Sequence, residues 1–287
     1  MRIILNIAGT LLLVLLPGAS RPQEAPAAGS PGVARESAPE HGKAFTGDAT
    51  PVEPGRVEVE VDYAPTWWAT AGSIDPLTGE QHLMVAAVTL GIVRDLDARV
   101  MVGWVLAHAM PNMPGGPAYG QGLADTIVAT RWRFLSLPDP AIDLAVSAAL
   151  VIPTGVTAAT EQLATGKGSW RVGGAFLASA DWGRFTAGLE LGFTAPVGPR
   201  VSNDAGFLVC NAALGYQVLP WLQPEVELNY QHEIELGGEF DERVLWVTAA
   251  LVFPLDPVRI IAGARTPVWV RDTFAGPTMT AAVKIAF

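Results

Sequence analysis

The chain has 287 residues, and its 28 Asp and Glu against 18 Lys and Arg give a formal net charge of −10. This acidic balance argues against nucleic acid as a partner, because phosphate backbones are bound by basic surfaces. Half of the residues are apolar and only 16% are charged, compared with about 25% in a typical soluble domain. The one long, mainly apolar run, residues 3–16, is too short for a helix to cross a bilayer. A bundle of transmembrane helices is therefore excluded, and a β-barrel is the remaining membrane fold.

The first segment matches a secretory signal peptide. Arg2 precedes the apolar run, and small or helix-breaking residues follow it at 17–20, as expected before a cleavage site. Residues 1–20 are thus predicted to be removed on export. Residues 21–54 are rich in Ala, Pro, Gly, Ser and Glu, which predicts a disordered periplasmic segment.

Residues 55–287 alternate between apolar and polar with a period of two, which is typical of half-buried strands. In the first run, valines at 57, 59 and 61 alternate with acidic residues at 58, 60 and 62, and a similar run ends the chain. Each run is about as long as the nine to eleven residues that a tilted strand needs to cross a bilayer. Ten more runs begin near His82, Ala98, Gly122, Ala141, Ser169, Arg184, Gly206, Leu222, Arg243 and Val258. The prediction is an all-β fold, a membrane-spanning antiparallel up-and-down barrel of twelve strands, an even number as in bacterial barrels.

The connections between these runs alternate in length. Long ones, such as 65–81 and 153–168, include the first and the last, and short ones, such as 94–97 and 181–183, lie between them. Because outer-membrane barrels have short periplasmic turns and long external loops, both termini are predicted to be periplasmic. The expected location is the outer membrane of a Gram-negative-type bacterium, with outer-membrane lipids and lipopolysaccharide as surroundings. A soluble antiparallel barrel is the alternative, but its surface would carry unusually few charges.

If the apolar face meets lipid, the polar face lines the lumen. Charges of both signs in such an interior are expected to pair. Barrel closure makes the first and last strands neighbours, so Lys284 is well placed for Glu58 or Glu60. The candidate lumen-lining residues are Glu58, Glu60, Asp62, Asp125, Arg131, Arg133, Asp143, Arg171, Glu190, Glu225, Glu227, Asn229 and Lys284.

Little in the sequence points to catalysis. The four histidines have no HExxH spacing, so no metal site is predicted, and there is no GxSxG motif. His108 beside a strand serine would be the only basis for a membrane-embedded enzyme. No cofactor is expected.

The stretch from Gly120 to Trp170 carries a motif pattern. It runs from Gly122 and Asp125 through Arg131-Trp-Arg133 to Pro153-Thr154-Gly155 and a glycine-rich TGKG at 165–168. In order and content this pattern resembles the transporter-like outer-membrane family named for the meta-pathway of phenol degradation. The family's usual Gly-x-Gly-Asp is altered here to Gly-Leu-Ala-Asp at 122–125. The terminal Phe287 is similar to the signal by which the barrel-assembly machinery recognises its clients.

The resemblance implies a barrel that passes small molecules, including hydrophobic or aromatic ones, and it supplies no catalytic or ligand residues. The resulting hypothesis is a passive outer-membrane channel whose selectivity is set by Arg131, Arg133 and the acidic rows of the first and ninth predicted strands. Two alternatives remain: a plugged structural or adhesive barrel that uses its external loops, and a membrane-embedded enzyme.

Overall fold

The computed structural model describes residues 46–69, 78–112, 116–157, 162–198, 204–236, 242–271, 273 and 275–287. The predicted signal peptide and residues 21–45 of the predicted disordered segment lie outside this part of the chain. The strands are β1 Val57–Ala69, β2 Thr78–Val93, β3 Leu96–Met110, β4 Ala118–Leu123, β5 Thr126–Pro138, β6 Ala141–Ile152, β7 Arg171–Trp182, β8 Phe185–Pro196, β9 Asp204–Tyr216, β10 Gln223–Glu235, β11 Glu242–Leu255, β12 Val258–Arg271 and β13 Thr278–Ala286.

The sheet closes on itself as an antiparallel barrel. Apart from β4 and β5, strands that are neighbours in sequence pair with each other, and β1 also pairs with β13, with Glu60 opposite Lys284 in the register. The predicted strand near Gly122 is divided at residues 124–125 into β4 and β5, which both pair with β3. Together these two segments occupy one strand position, so the predicted twelve-stranded barrel is confirmed.

The alternation that predicted the strands separates two surfaces of the wall. On β10, the side chains of Glu225 and Glu227 are no more than 2% exposed, whereas Val226 and Leu228 between them are at least 50% exposed. An apolar outside and a polar inside is the arrangement of a barrel that faces lipid. Among the described residues, no helix has the length and apolar character needed to cross a membrane.

Two segments outside the strands fold into the barrel. Residues 46–54, called the plug segment below, enter at the end that carries the short turns, where Val52 donates to Asp97. Residues 153–169, described at 153–157 and 162–169 and called the inner loop below, fold inward at the opposite end. The expectation of disorder through residue 54 is wrong for the plug segment, because hydrogen bonds to the wall fix its backbone.

Candidate functional site

The barrel interior is the candidate site, and the structure places all thirteen predicted lining residues inside it. Each is buried, with at most 6% of its surface exposed. Their part in selecting solutes stays a prediction. They are Glu58, Glu60 and Asp62 on β1, Asp125 at the β4–β5 break, Arg131 and Arg133 on β5, Asp143 on β6, Arg171 on β7, Glu190 on β8, Glu225, Glu227 and Asn229 on β10, and Lys284 on β13.

Ion pairs cross the seam where the barrel closes. The Nζ atom of Lys284 lies 3.4 Å from a carboxylate oxygen of Glu58 and 3.4 Å from one of Glu60. Arg99 on β3 donates to Glu60 at 3.2 Å. The pairing expected from the sequence for Lys284 is therefore present, and it involves both glutamates.

The two arginines predicted to set selectivity are also ion-paired. Arg131 pairs with Asp97. Arg133 donates to Asp95 at 2.7 Å and to Asp143 at 3.2 Å. Each guanidinium is thereby fixed against the wall near the short-turn end of the lumen.

A second polar cluster lies across β8 to β11. Asn211 donates to Glu190 at 3.0 Å, and Asn229 donates to Glu227 at 3.0 Å. Thr248 donates to the amide oxygen of Asn229 at 2.6 Å. These contacts join β8 to β9 and β10 to β11 through side chains that point inward, so this sector of the lumen is acidic and rich in amides.

The sector formed by β1 to β6 is different, because much of its inner surface is apolar. Leu83, Val85, Met101, Val105 and Ile127 are buried in one contiguous cluster on the inner wall. The middle of the lumen is thus two-sided, with an apolar wall on β2, β3 and β5 and a polar wall on β8 to β12, whereas Arg99, Arg131 and Arg133 on β3 and β5 lie nearer the short-turn end. Such a cross-section can accommodate a solute with one apolar and one polar face.

Asp125 fastens the inner loop to the wall. Its carboxylate accepts the backbone N–H of Gly155 at 3.1 Å and that of Lys167 at 2.8 Å. Thr165 donates to the carbonyl of Leu123 at 2.6 Å. The motif residues at the break and in the loop therefore form one hydrogen-bonded unit.

The remaining motif residues complete this unit. Thr154 donates to the carbonyl of Ala124 at 2.7 Å, and Pro153 follows the last residue of β6. A Cβ atom on Gly155 would come within 2.6 Å of the backbone of Gly166. Gly122, on β4 next to the break, has a φ of 134°, which residues with a side chain rarely adopt. The glycines of the motif thus serve a close approach and an unusual backbone geometry.

The inner loop extends across the lumen at the end opposite the short turns. Lys167 forms an ion pair with Glu233 on β10 at 2.6 Å. On the other side, Nδ1 of His108 lies 3.3 Å from the carbonyl of Ala164, and Leu163 packs in a cluster with Trp68, Met110 and Ala118. The loop is thereby attached to both walls, and the lumen is narrowed at this level.

Several inward-facing residues were missed by the sequence analysis, among them Asp97, Arg99, Asn211, Arg259 and Arg265. All five are buried. Arg259 and Arg265 are six residues apart on β12, so an alternation of period two places them on one face, and this signal was available. Among the described residues, no group of three His, Cys, Asp or Glu side chains is arranged to bind a metal ion.

The family assignment follows from a match over most of the chain. Residues 44–282 match the model of the family described as "Putative MetA-pathway of phenol degradation". The protein belongs to this family, as the motif pattern from Gly120 to Trp170 predicted. A search of curated proteins gives no match.

The fold is also that of solved membrane channels. It is similar to an outer-membrane channel from Pseudomonas putida F1, with a TM-score of 0.71 and 12% identity over 85% of this chain and 100% of that chain. It is similar to the NanC porin with a TM-score of 0.52 and 10% identity, covering 80% of this chain and 98% of that chain. At these identities the likeness is one of fold.

Proposed function

We propose that this protein is a passive channel of the outer membrane, with periplasmic termini, for small molecules that include hydrophobic or aromatic ones. The observation that carries the proposal is the two-sided lumen, in which an apolar wall faces a polar wall inside a closed barrel. The family, described by a putative pathway of phenol degradation, and the fold of outer-membrane channels support it. The proposal assigns no catalytic step to any residue.

The apolar wall supports the proposal that the solutes include hydrophobic or aromatic molecules. A uniformly charged lumen would favour small ions, because an apolar solute gains nothing by leaving water for a polar wall. A wall containing Leu83, Val85 and Met101 offers such a solute a favourable surface along the barrel. The carboxylates and arginines on the rest of the inner face offer hydrogen-bond partners to the polar side of a mixed solute.

Single-channel recording tests the proposal. We expect the full-length mature protein, refolded in detergent and inserted in a planar bilayer in KCl, to give discrete conductance steps. Arg259→Ala, which removes a charge on the inner face, should change the step size because the local ion concentration follows the lumen charge. The matched control is Ile260→Ala, the next residue on β12, which faces outward and should leave the step unchanged. If every correctly folded barrel is silent, including variants with the plug segment displaced, the proposal is wrong.

A plugged structural barrel is the second candidate, and one observation favours it. The plug segment crosses the half of the lumen nearer the short turns, with Ala49 fully buried. A barrel whose plug never leaves would need only its external loops for function. In that case the variants that displace the plug segment would conduct, whereas the wild type would remain silent under every voltage and solute condition.

A further inference from the structure

The plug segment binds the wall as a peptide ligand would. At least seven hydrogen bonds between described residues join it to side chains on β3, β5, β6, β7, β8 and β10. Five of the seven are made by its backbone rather than by its side chains. The wall therefore recognises features that any short peptide shares.

Three carboxylates on the barrel wall each accept a backbone N–H group of the plug segment. The N–H of Gly47 donates to Glu190 at 2.9 Å, and that of Val52 donates to Asp97 at 2.9 Å. The N–H of Thr46 lies 3.4 Å from Glu227. Because charged acceptors make the stronger class of hydrogen bond, these carboxylates are suited to bind the N–H groups of a peptide backbone.

The site also contains donors for the carbonyl side of a peptide. Arg131 donates to the carbonyl oxygen of Asp48 at 2.8 Å. Ser179 donates to the carboxylate of Asp48 at 2.7 Å and accepts the N–H of Ala49 at 3.0 Å. The site thus offers acceptors to four backbone N–H groups and a donor to one backbone carbonyl.

The site admits only small side chains at its centre. Ala49 packs in a closed apolar pocket with Ala145, Ala175 and Leu177. A Cβ atom on Gly47 would lie 2.9 Å from Leu177 and 3.3 Å from Glu190, closer than ordinary contact allows. The surroundings of these two positions limit the size of the side chains that the site accepts, in addition to its preference for polar backbone groups.

We propose that Asp97, Arg131, Ser179, Glu190 and Glu227, called the cradle, form a binding site for short peptides with small side chains, and that the plug segment competes for it from within the chain. The proposal deepens the proposed function and rests on it, since it names a solute class for the same lumen. A peptide entering the channel replaces the contacts of the plug segment one for one. The plug segment then leaves the cradle, the bound peptide blocks the lumen in its place, and the passage opens when the peptide dissociates before the plug segment returns.

Tethering makes the competition effective. The plug segment continues directly into β1, and Gly55 is hydrogen-bonded to Gly91 beside it. A segment attached by a short linker has an effective concentration on the order of millimolar at its own site. A free peptide must therefore be abundant, or the plug contacts must be weakened, before the peptide occupies the cradle.

The test uses the heptapeptide Thr-Gly-Asp-Ala-Thr-Pro-Val, which copies residues 46–52, with full-length Gly47→Leu and wild-type barrels. Gly47→Leu forces a large side chain into the closed position and should displace the plug segment. The matched control is Ala86→Leu, which introduces the same side chain on the outward face of β2, away from the plug segment. Binding of the fluorescent peptide is measured in detergent by anisotropy, and conductance is measured in planar bilayers.

We expect Gly47→Leu to bind the peptide about tenfold or more tightly than the wild type or Ala86→Leu, because an occupied site lowers apparent affinity by the free fraction. We also expect its conductance to rise and the heptapeptide to block it, whereas a heptapeptide with Leu in place of the Gly should not. Equal binding and equal conductance in all three barrels would overturn the inference while leaving the channel function intact. Peptide binding by Gly47→Leu without any conductance would instead overturn the channel function and leave the cradle in place.

Discussion

At the scale of single residues, Asp125 has the largest structural consequence of the motif. Its two carboxylate oxygens accept backbone N–H groups from both ends of the inner loop. In Asp125→Ala the two donors lose their partner, at a cost of about 1–3 kcal/mol, which corresponds to roughly a 5- to 150-fold larger population with the loop detached. We expect trypsin to cleave the variant after Lys167 at least fivefold faster than the wild type, as followed by mass spectrometry.

Two further variants serve as controls for this experiment. Asp125→Asn keeps the shape but replaces one acceptor by a donor, so its cleavage rate should lie between those of the wild type and Asp125→Ala. Glu80→Ala removes a carboxylate at the half-exposed rim and should cleave like the wild type. If Asp125→Ala is as resistant as the wild type, the loop is fixed by Lys167 and Leu163 instead.

The sequence identified these motif residues, but it did not predict their structural role. The order of Gly122, Asp125, Pro153, Thr154 and Gly155 was enough to suggest the family, because motif order is a property of the chain alone. That the carboxylate binds amides 30 and 42 residues further on could not be inferred, since an inward fold of a long loop leaves no periodic signal.

At the scale of elements, the facing of a strand is predictable only where its two faces differ. On β1 and β10, acids alternate with valine and leucine, and polar residues were correctly placed inside. On β2, Leu83 and Val85 face the lumen while Met84 and Val88 face outward. Both faces of β2 are apolar, so alternate residues do not differ in polarity. The sequence therefore does not show which face points into the lumen.

The ordered conformation of the plug segment was not predicted, for a different reason. Its composition is that of a flexible linker, with Gly, Ala, Thr and Pro between residues 46 and 54. Its attachment depends on backbone amides that every residue carries and on acids that lie 45 to 181 positions further along the chain. Composition reports how much apolar surface a segment can bury, and it does not report a polar surface prepared by the rest of the barrel.

The closing seam between β1 and β13 should depend on one lysine. Removing Lys284 leaves Glu58 without the cation across the seam and Glu60 with Arg99 alone. Breaking a buried ion pair from one side costs about 3–5 kcal/mol. We expect Lys284→Met to lower the free energy of unfolding by roughly that amount, measured by urea denaturation of the refolded barrel in detergent.

Removing both charges should undo most of this loss. In Glu58→Gln/Lys284→Met no unpaired carboxylate remains at position 58, and Glu60 keeps its arginine, so the free energy of unfolding should return most of the way to that of the wild type. A double variant as unstable as Lys284→Met would mean that the aliphatic stem of the lysine, and not its charge, stabilises the seam.

At the scale of the whole molecule, topology followed from the connections. Long and short connections alternate, and this alone orders twelve strands up and down and places both termini at the short-turn end. The division of one strand into β4 and β5 changes neither the count nor the order, because both segments pair with β3. Global arrangement is thus more predictable here than the contents of the lumen, which depend on contacts between residues distant in sequence.

Those contents give the lumen a net negative charge. Among the buried charged side chains of the described residues, eleven are acidic and seven are Arg or Lys. A narrow, low-dielectric passage concentrates the counter-ions of its lining charge. The channel should therefore favour cations over anions. In a KCl gradient, the wild type should give a reversal potential of the sign expected for cation selectivity. If the plug segment blocks current in the wild type, Gly47→Leu should give that reversal potential.

The origin of this selectivity can be tested by neutralising one row of charges and by screening all of them. Glu225→Gln/Glu227→Gln removes two acids from β10 and should move the reversal potential toward zero, whereas the outward-facing pair Val226→Ala/Leu228→Ala should leave it unchanged. Raising the salt from 0.1 M to 1 M shortens the Debye length from about 10 Å to about 3 Å, so charges on the wall no longer act across the passage and the preference should fade. Selectivity that persists at 1 M would contradict selection by the overall charge of the lumen, because only charges in direct contact with the solute escape screening. Selectivity that is unaffected by the two glutamines would place the selecting charges on strands other than β10.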